Sequence, residues 1–274
     1  MLERFSYTNH VGEVLEFGTH PLFVNENDLR NFEWSVSNKN DKISGFKKGV
    51  VAKTIPIIIK CENDSEGYEV RNRIFEVFEK DVIAQKYGRI NIGDYYLKCY
   101  ATGSSKSSYL ISKGLMMLKL KIQTDAPEWV KETTLNFRQD SGGDSEFLDF
   151  AVGFPFDFKN SLALKEVNNQ NFVPSNFRMT IYGRTANPSI YIGGHEYAVN
   201  VDVEAGEYLT IDSVEKTVVL TKYNGQKINC FNNRNKDSYI FEKIPSGSSI
   251  VTFGQSTQAF DLTLLEERSE PKWT

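Results

Sequence analysis

Gly67-Tyr68-Glu69-Val70-Arg71-Asn72-Arg73-Ile74-Phe75-Glu76-Val77-Phe78-Glu79-Lys80-Asp81-Val82 is the stretch from which the architecture can be read. Val70, Ile74, Val77, Phe78 and Val82 recur at i, i+4, i+7, i+8 and i+12, which lines one face of a helix, and the opposite face is charged. The pattern predicts a helix from about Gly67 to Tyr87. Asn63 or Ser65 can cap its start, Glu66 and Glu69 complement the positive end of its dipole, and Gly88 offers a left-handed stop. No other long helix is announced anywhere in the chain. A helix with a single apolar stripe has to bury it, so among strands it must pack across a sheet, giving an α+β domain.

Outward from the helix the pattern changes to strands. From Trp34 to Ile122 short apolar or alternating runs are separated by Gly, Asn, Asp and Ser clusters. Ile55-Pro56-Ile57-Ile58-Ile59 is one such run, and Pro56, which cannot donate to a ladder, is expected at a strand start, an edge or a bulge. Tyr95-Tyr96-Leu97-Lys98-Cys99-Tyr100 is another. Leu118, Leu120 and Ile122 alternate with Lys119 and Lys121, as in a half-buried strand.

After Pro127-Glu128-Trp129 the periodicity lapses, and the polar run that ends in Ser141-Gly142-Gly143-Asp144 reads as a connection over 131–145. Only strands follow. Phe177, Met179 and Ile181 alternate; Ile190 and Ile192 lead through Gly193-Gly194 to Tyr197, Val199, Val201 and Val203, a hairpin pattern. Val218-Val219-Leu220 leads to Asn224-Gly225, the pair suited to a type I′ turn. Phe260, Leu262 and Leu264 form a last alternating strand. The expected fold class is mainly β: an N-terminal α+β domain over 1–130 with one long helix, and a C-terminal β-sandwich over 146–274.

Composition narrows the function classes. With 274 residues, 40% of them hydrophobic and 13% aromatic, the chain can fill ordinary cores without metals or disulfides. The formal charge of -4 is spread as mixed signs, which does not favour nucleic acid as a partner. No apolar run approaches the roughly 20 residues of a membrane span, and Met1-Leu2-Glu3-Arg4-Phe5 lacks the pattern of a secretion signal. Synthesis and retention in a cytoplasm are therefore expected. Cys61, Cys99 and Cys230 are odd in number and widely spaced, and are expected to be buried reduced thiols.

Motifs that could carry chemistry are few. Asp140-Ser141-Gly142-Gly143 echoes a serine-protease nucleophile loop, but Gln139 and Asp144 replace the flanking Gly and Pro, so a Gly-rich linker is the better reading. His10, His20 and His195 form no pair at metal-ligand spacing. Glu13, Glu16 or Asp157 with Asp149 would be candidates for a glycosidase pair, although 36 acidic residues make such pairings common by chance. Gly88-Arg89-Ile90-Asn91-Ile92-Gly93 follows the helix instead of preceding it, and reads as a helix stop and turn, not a phosphate loop. Phe147, Phe150, Phe154, Phe156 and Phe158 read as second-domain core in preference to a docking patch. Trp34, Trp129 and Trp273 could stack on sugars but read as packing or interface residues. No catalytic, cofactor-binding or metal residue is assigned, and no protein-interface residue can be singled out.

Ordered phrases along almost the whole chain resemble the distal tail proteins (Dit) of long-tailed phages (siphoviruses) and prophages of Gram-positive bacteria. They begin with Tyr7-Thr8-Asn9-His10-Val11-Gly12-Glu13, continue with the single helix, and go on to Gly93-Asp94-Tyr95-Tyr96-Leu97. The second half carries Phe154-Pro155-Phe156-Asp157-Phe158, Ile181-Tyr182-Gly183, Asn187-Pro188-Ser189-Ile190, Leu209-Thr210-Ile211-Asp212 and Ile244-Pro245-Ser246-Gly247. The last is Glu267-Arg268-Ser269-Glu270-Pro271-Lys272-Trp273. The resemblance implies a non-enzymatic virion structural protein of the tail tip or baseplate, assembled in the host cytoplasm without a cofactor. It implies an N-terminal domain forming a homohexameric ring that continues the tail tube, and a C-terminal galectin-like sandwich. The implied partners are the tail tube protein, a tail-associated hub protein, and receptor-binding or side-fibre proteins, with no membrane and no specific nucleic acid. A lectin-like carbohydrate-binding module is the alternative, and a cell-wall hydrolase a third.

Overall fold

The computed structural model describes residues 4–110, 114–138, 165–254 and 259–273. The chain divides into two compact units, Met1–Lys131 with Glu267–Thr274, and Glu132–Glu266. The Gly-rich stretch at 141–143, the five phenylalanines between 147 and 158, Asp149 and Asp157 fall outside the described residues.

In chain order the first unit contains β1 (Phe5–Thr8), β2 (Val14–Phe17), β3 (Leu22–Val24), β4 (Ser35–Lys39), β5 (Lys42–Lys47), β6 (Val51–Lys60), α1 (Asp64–Ala84), β7 (Gly88–Ile92), β8 (Tyr95–Leu110) and β9 (Leu115–Thr124). Its organiser is β8, whose 16 residues serve two sheets. Its first part pairs with β7 (Leu97↔Ile90), which pairs with β1 and then β2. Its later part pairs with β9 (Ser104↔Leu120), then β6 and β3. The register slips between Ala101 and Gly103, the bulge at which one strand can leave one sheet for another. Tyr7, Phe17, Ile90 and Leu97 from the first sheet meet Ile55, Ile57, Leu118 and Ile122 from the second in one core.

Helix α1 packs against β8, β6 and β2. Asn63 caps it, accepting from the Glu66 amide at 3.0 Å, as the sequence suggests. Its end differs from expectation. The left-handed residue is Gln85 (φ 52°), with Gln85 N–H donating to Val82 O and Lys86 N–H to Asp81 O, a Schellman closure three residues before Gly88. The buried face also departs from a purely apolar stripe: Ile74, Val77 and Phe78 are buried, but the next buried position is Asp81, while Val82 is 41% exposed.

Pro56 lies within β6, opposite Lys119 of β9. Its carbonyl accepts from Asn25 N–H on the other side, where pairing with β3 has already ended at Ile57. The missing N–H therefore faces a local edge.

Strands β4 and β5 form a separate two-stranded ribbon, turned by Asn40 (φ 52°) and Asp41 (φ 56°). The two positive φ values are those of a type I′ turn, which the sequence signals only through the pair Asn-Asp.

Strand β10 (Trp129–Arg138) starts in the first unit, where Val130 pairs with Tyr96. Residues 131–138, read from sequence as connection, are strand, and from Glu132 they belong to the second unit: alternation is weak there because only Phe137 of the last five residues is buried.

The second unit has β11 (Lys165–Asn169), β12 (Asn176–Tyr182), β13 (Thr185–Ala186), β14 (Ser189–Ile192), β15 (His195–Ala198), β16 (Asp202–Val203), β17 (Tyr208–Asp212), β18 (Thr217–Thr221), β19 (Lys227–Asn229), β20 (Gly247–Phe253) and β21 (Ala259–Arg268). One sheet runs β11-β20-β14-β15; the other contains β19-β18-β17-β12-β21. Val167, Ile190, Tyr197 and Val251 from the first close on Phe177, Met179, Leu209, Val218 and Leu262 from the second, so the unit is a β-sandwich. Gly193 (φ 58°) and Gly194 (φ 83°) make the expected tight turn between β14 and β15. At Asn224-Gly225 only Gly225 has positive φ, and Lys222 pairs across to Gln226, so the turn is a three-residue loop with a bulge in place of type I′. Asn224 Oδ1 stabilises it by accepting from Gln226 N–H at 3.0 Å.

Two expectations follow. Ile122→Ala, at a position with no exposure, should lower the free energy of urea unfolding by about 2–5 kcal/mol, whereas Ile43→Ala on the exposed ribbon should change it by less than about 0.5 kcal/mol. In the sandwich, burial would raise the Asp261 carboxyl, but hydrogen bonds from Asn136, Tyr182 and Arg138 outweigh it and hold the group below the usual range. A depressed folded-state pKa stabilises above the unfolded Asp value of about 3.9 and ceases to do so as pH falls through the folded value. Asp261→Asn should therefore lose less stability than the unaltered chain between pH 6 and about pH 3 in the same urea assay.

Candidate functional site

The phrase Tyr7–Glu13 ends β1 and turns into β2, and its side chains converge on α1. Tyr7, with no exposure, donates its hydroxyl to Asp81 Oδ2. His10 N–H donates to Asp81 Oδ1 at 2.8 Å, and His10 Nδ1 lies 2.5 Å from the same oxygen. Asn9 Oδ1 accepts from Val11 N–H and Glu13 N–H, and its amide donates to Glu13 Oε2 at 2.7 Å and to Val77 O at 3.3 Å. Lys80 Nζ reaches Glu13 at 2.7 Å, and with Asn9 it holds that carboxyl below its ordinary range. Gly12 (φ 91°) permits the tight turn.

Gly88 closes the constellation from the other side. A Cβ there would lie 1.9 Å from Tyr7 Oη and 2.4 Å from Asp81 Oδ2, so the residue is required by close approach and not, as the sequence suggested, by helix termination.

The His10–Asp81 pair has the outline of an acid/base dyad, but its surroundings do not suit catalysis. Asp81 is fully buried and both oxygens are engaged. Burial, and then the bond to Asp81, push the Tyr7 hydroxyl far above its usual range. The neighbouring Cys99 thiol is pushed up to about 12, first by burial and then by Asp81. A nucleophile must shed its proton near neutral pH, and neither group does. The constellation is a clamp joining β1, the β1–β2 turn, α1 and the start of β7.

The other sequence candidates stay apart. Glu13 is paired with Lys80, and Glu16 projects from β2 as an exposed residue. His195 Nε2 lies 2.9 Å from Tyr239 O, with its ring 4.9 Å from Tyr197. Trp129 is buried in the first core, while Lys48 covers Trp34 at 4.5 Å and Arg30 covers Trp273 at 4.0 Å. Cys61, Cys99 and Cys230 are buried free thiols. Among the described residues no group of three or more His, Cys, Asp or Glu could hold a metal ion, and no helix is long and apolar enough to cross a membrane.

What the first unit does offer is surface. Val36, Ile43 and Phe46 on the β4–β5 ribbon are 48–62% exposed. On α1, Ile83 is 77% exposed, and Phe75, 53% exposed, lines a groove of about 270 Å³ between the helix and β8. That volume is below the roughly 300 Å³ at which small-molecule sites begin. Sequence patterning missed both features, because exposed apolar residues in a short ribbon look the same as buried ones in a strand.

The clamp can be tested by a double-mutant cycle in urea. Tyr7→Phe leaves a buried carboxylate oxygen short of a donor and should cost about 1–3 kcal/mol. Gly88→Ala should cost at least as much by overpacking, and the pair should still cost clearly more than Tyr7→Phe alone, since the ring carbon Cζ of residue 7 at 2.2 Å and Asp81 Oδ2 at 2.4 Å stay in the way of the new methyl when the hydroxyl is gone.

Similarity to known proteins comes from structure alone. No protein-family profile matches the chain, and no curated protein matches it in sequence. Among solved structures, a chain of the phage P2 baseplate in its activated conformation with calcium superposes with a TM-score of 0.62 at 11% identity, covering 99% of this chain and 100% of that one. The strontium form of the phage p2 baseplate gives 0.62 at 12% identity, covering 98% and 99%. The Dit (gp 19.1) protein of SPP1, described as a paradigm of the hub adsorption apparatus in phages infecting Gram-positive bacteria, gives 0.60 at 12% identity, covering 96% and 99%. This chain shares their fold over nearly the full length of both partners.

Proposed function

We propose that this protein is a non-catalytic distal tail protein of a long-tailed phage or prophage, a ring-forming hub at the tail tip. The observation that carries the reading is end-to-end superposition on baseplate chains and on SPP1 Dit, which spans both units and leaves almost nothing of either partner uncovered. A fold can host many functions, so the likeness needs support from this chain's own residues. That support is threefold: the Dit-like phrase Tyr7–Glu13 is the clamp that fixes α1, the ionisable residues near it are committed to structure, and the unsatisfied features are exposed apolar surfaces.

In this reading six copies form a closed ring through the first unit, continuing the tail tube and meeting a tail-associated hub protein. The second unit, a galectin-like sandwich, is the attachment module for receptor-binding or side-fibre proteins. A net charge of -4 suits a channel through which DNA passes, since a basic lumen would retain phosphates. The site of action is the virion tail tip, reached after assembly in the host cytoplasm.

Light scattering behind a sizing column tests the reading. A species near six times 31.3 kDa, or twice that for back-to-back rings, is the expected result. A strict monomer at every concentration and salt would overturn self-assembly into a ring.

A further inference from the structure

Of the three tryptophans, Trp129 is buried while Trp34 and Trp273 are 45% and 74% exposed, and each exposed ring lies under a cation. Trp34 is the last residue before β4 and Lys48 the first after β5. Lys48 Nζ lies 4.5 Å from the centre of the Trp34 ring, so the two ends of the β4–β5 ribbon are joined to each other at its root. The same ammonium lies 3.5 Å from Glu128 Oε1, and the Lys48 side chain is 6% exposed. Held between an indole face and a carboxylate, with little water to screen it, the ammonium makes a stronger tie than a surface pair. Arg30 makes a second tie, stacking on the Trp273 ring at 4.0 Å and donating through Nη1 to Pro271 O at 2.9 Å. Lys53 Nζ donates to Asp28 O at 2.9 Å and to Asn31 O, which fixes the segment on which Arg30 stands.

Apolar burial contributes nothing to this root. No apolar residue from Arg30 to Ala52 is buried, and the ribbon pairs with no other strand, so an element that is marginal alone is held in place by three cations. The partners of two of them stand at telling places in the chain. Glu128 immediately precedes β10, the strand in which the chain passes from the first unit to the second, and Pro271 and Trp273 follow β21, the strand by which it returns. In the second unit β21 pairs with β12 from Ala259↔Tyr182 to Leu265↔Asn176. Both passages of the chain between the units are therefore tied to the ribbon root, one through Lys48 and the other through Arg30.

We infer that this root is a relay through which the second unit sets the mobility of the β4–β5 ribbon. Its two states are tied and untied. The Arg30 tie consists of a hydrogen bond and a ring contact, both lost over a displacement of about 1–2 Å, and Pro271 moves with β21 when the end of that strand frays or shifts. Untied, the ribbon is a lone hairpin on a flexible root. A partner that stiffens β10 or β21 from the second unit would quiet the ribbon, because the coupling between two sites is reciprocal. The relay is a property of the single chain and does not require the ring.

Hydrogen exchange over residues 28–47, read by mass spectrometry, is the test, with β9 as internal reference and circular dichroism to establish that each variant is folded. Trp273→Ala and Glu128→Gln, which cut one tie each, should each speed exchange over 28–47 by at least about threefold. Arg30→Lys, which keeps the charge but loses the planar stack, should act like Trp273→Ala. The relay itself is read from the other end. Leu262→Ala, at a fully buried position of β21 in the second unit, or the milder Leu262→Val where the first does not fold, should speed exchange over the ribbon by at least about twofold and leave β9 unchanged. In a chain already carrying Trp273→Ala and Glu128→Gln, the same substitution should add nothing to the ribbon's exchange. Ribbon exchange indifferent to the tie variants would overturn the ties and the relay with them. A ribbon that responds to the tie variants but not to the change at Leu262, or responds to Leu262 equally with the ties cut, would overturn the relay.

Discussion

A buried carboxylate organises the first unit. Asp81 sits on the core-facing side of α1, and taking a carboxyl group out of water is costly unless its oxygens are matched. The match comes from Tyr7 on β1 and His10 in the following turn, residues more than 70 positions earlier in the chain. Satisfying Asp81 therefore fixes the position of the helix along the sheet. It also dictates Gly88, since no side chain fits where Tyr7 and Asp81 meet. The first residue of β7 is thereby set, and with it a strand that pairs on both sides, with β1 and β8.

That arrangement explains why ionisable groups here do not add up to an active site. Enzymes hold acids and bases in partly open, incompletely satisfied settings where a proton can move near neutral pH. Asp81, Tyr7 and Cys99 are buried, and the proton-bearing groups are pushed away from neutrality. Rigidity is the product of such a network. The rigid helix it holds leaves Phe75 and Ile83 exposed on its outer side.

Much of this was legible before any coordinates. The one long helix, its Asn63 cap, the mainly β class, the strands at Tyr95 and Met117, and the Gly193-Gly194 turn all follow from local rules, because backbone periodicity and turn chemistry act over a few residues. The misreadings have a common cause. Gly88 looked like a helix stop and Val82 like core because local pattern cannot register that Asp81 bonds to Tyr7, 74 positions away. Residues 131–138 looked like a connection because a strand with few buried positions has no alternation to show. The candidate surfaces were invisible for the complementary reason: exposure is a property of the assembled fold.

The first unit also contains residues from the far end of the sequence. Arg30 stacks on Trp273 and donates to Pro271 O at 2.9 Å, so the segment after β21 completes a body begun some 240 residues earlier. Residues 132–266 are thus, in topological terms, an insertion. A nascent chain emerging from the ribosome would finish the inserted sandwich first, and the body that hosts it would remain incomplete until the tail segment followed. The two units therefore differ in what closes them: the sandwich is contiguous in sequence, while its host body is closed only by residues that follow the insertion.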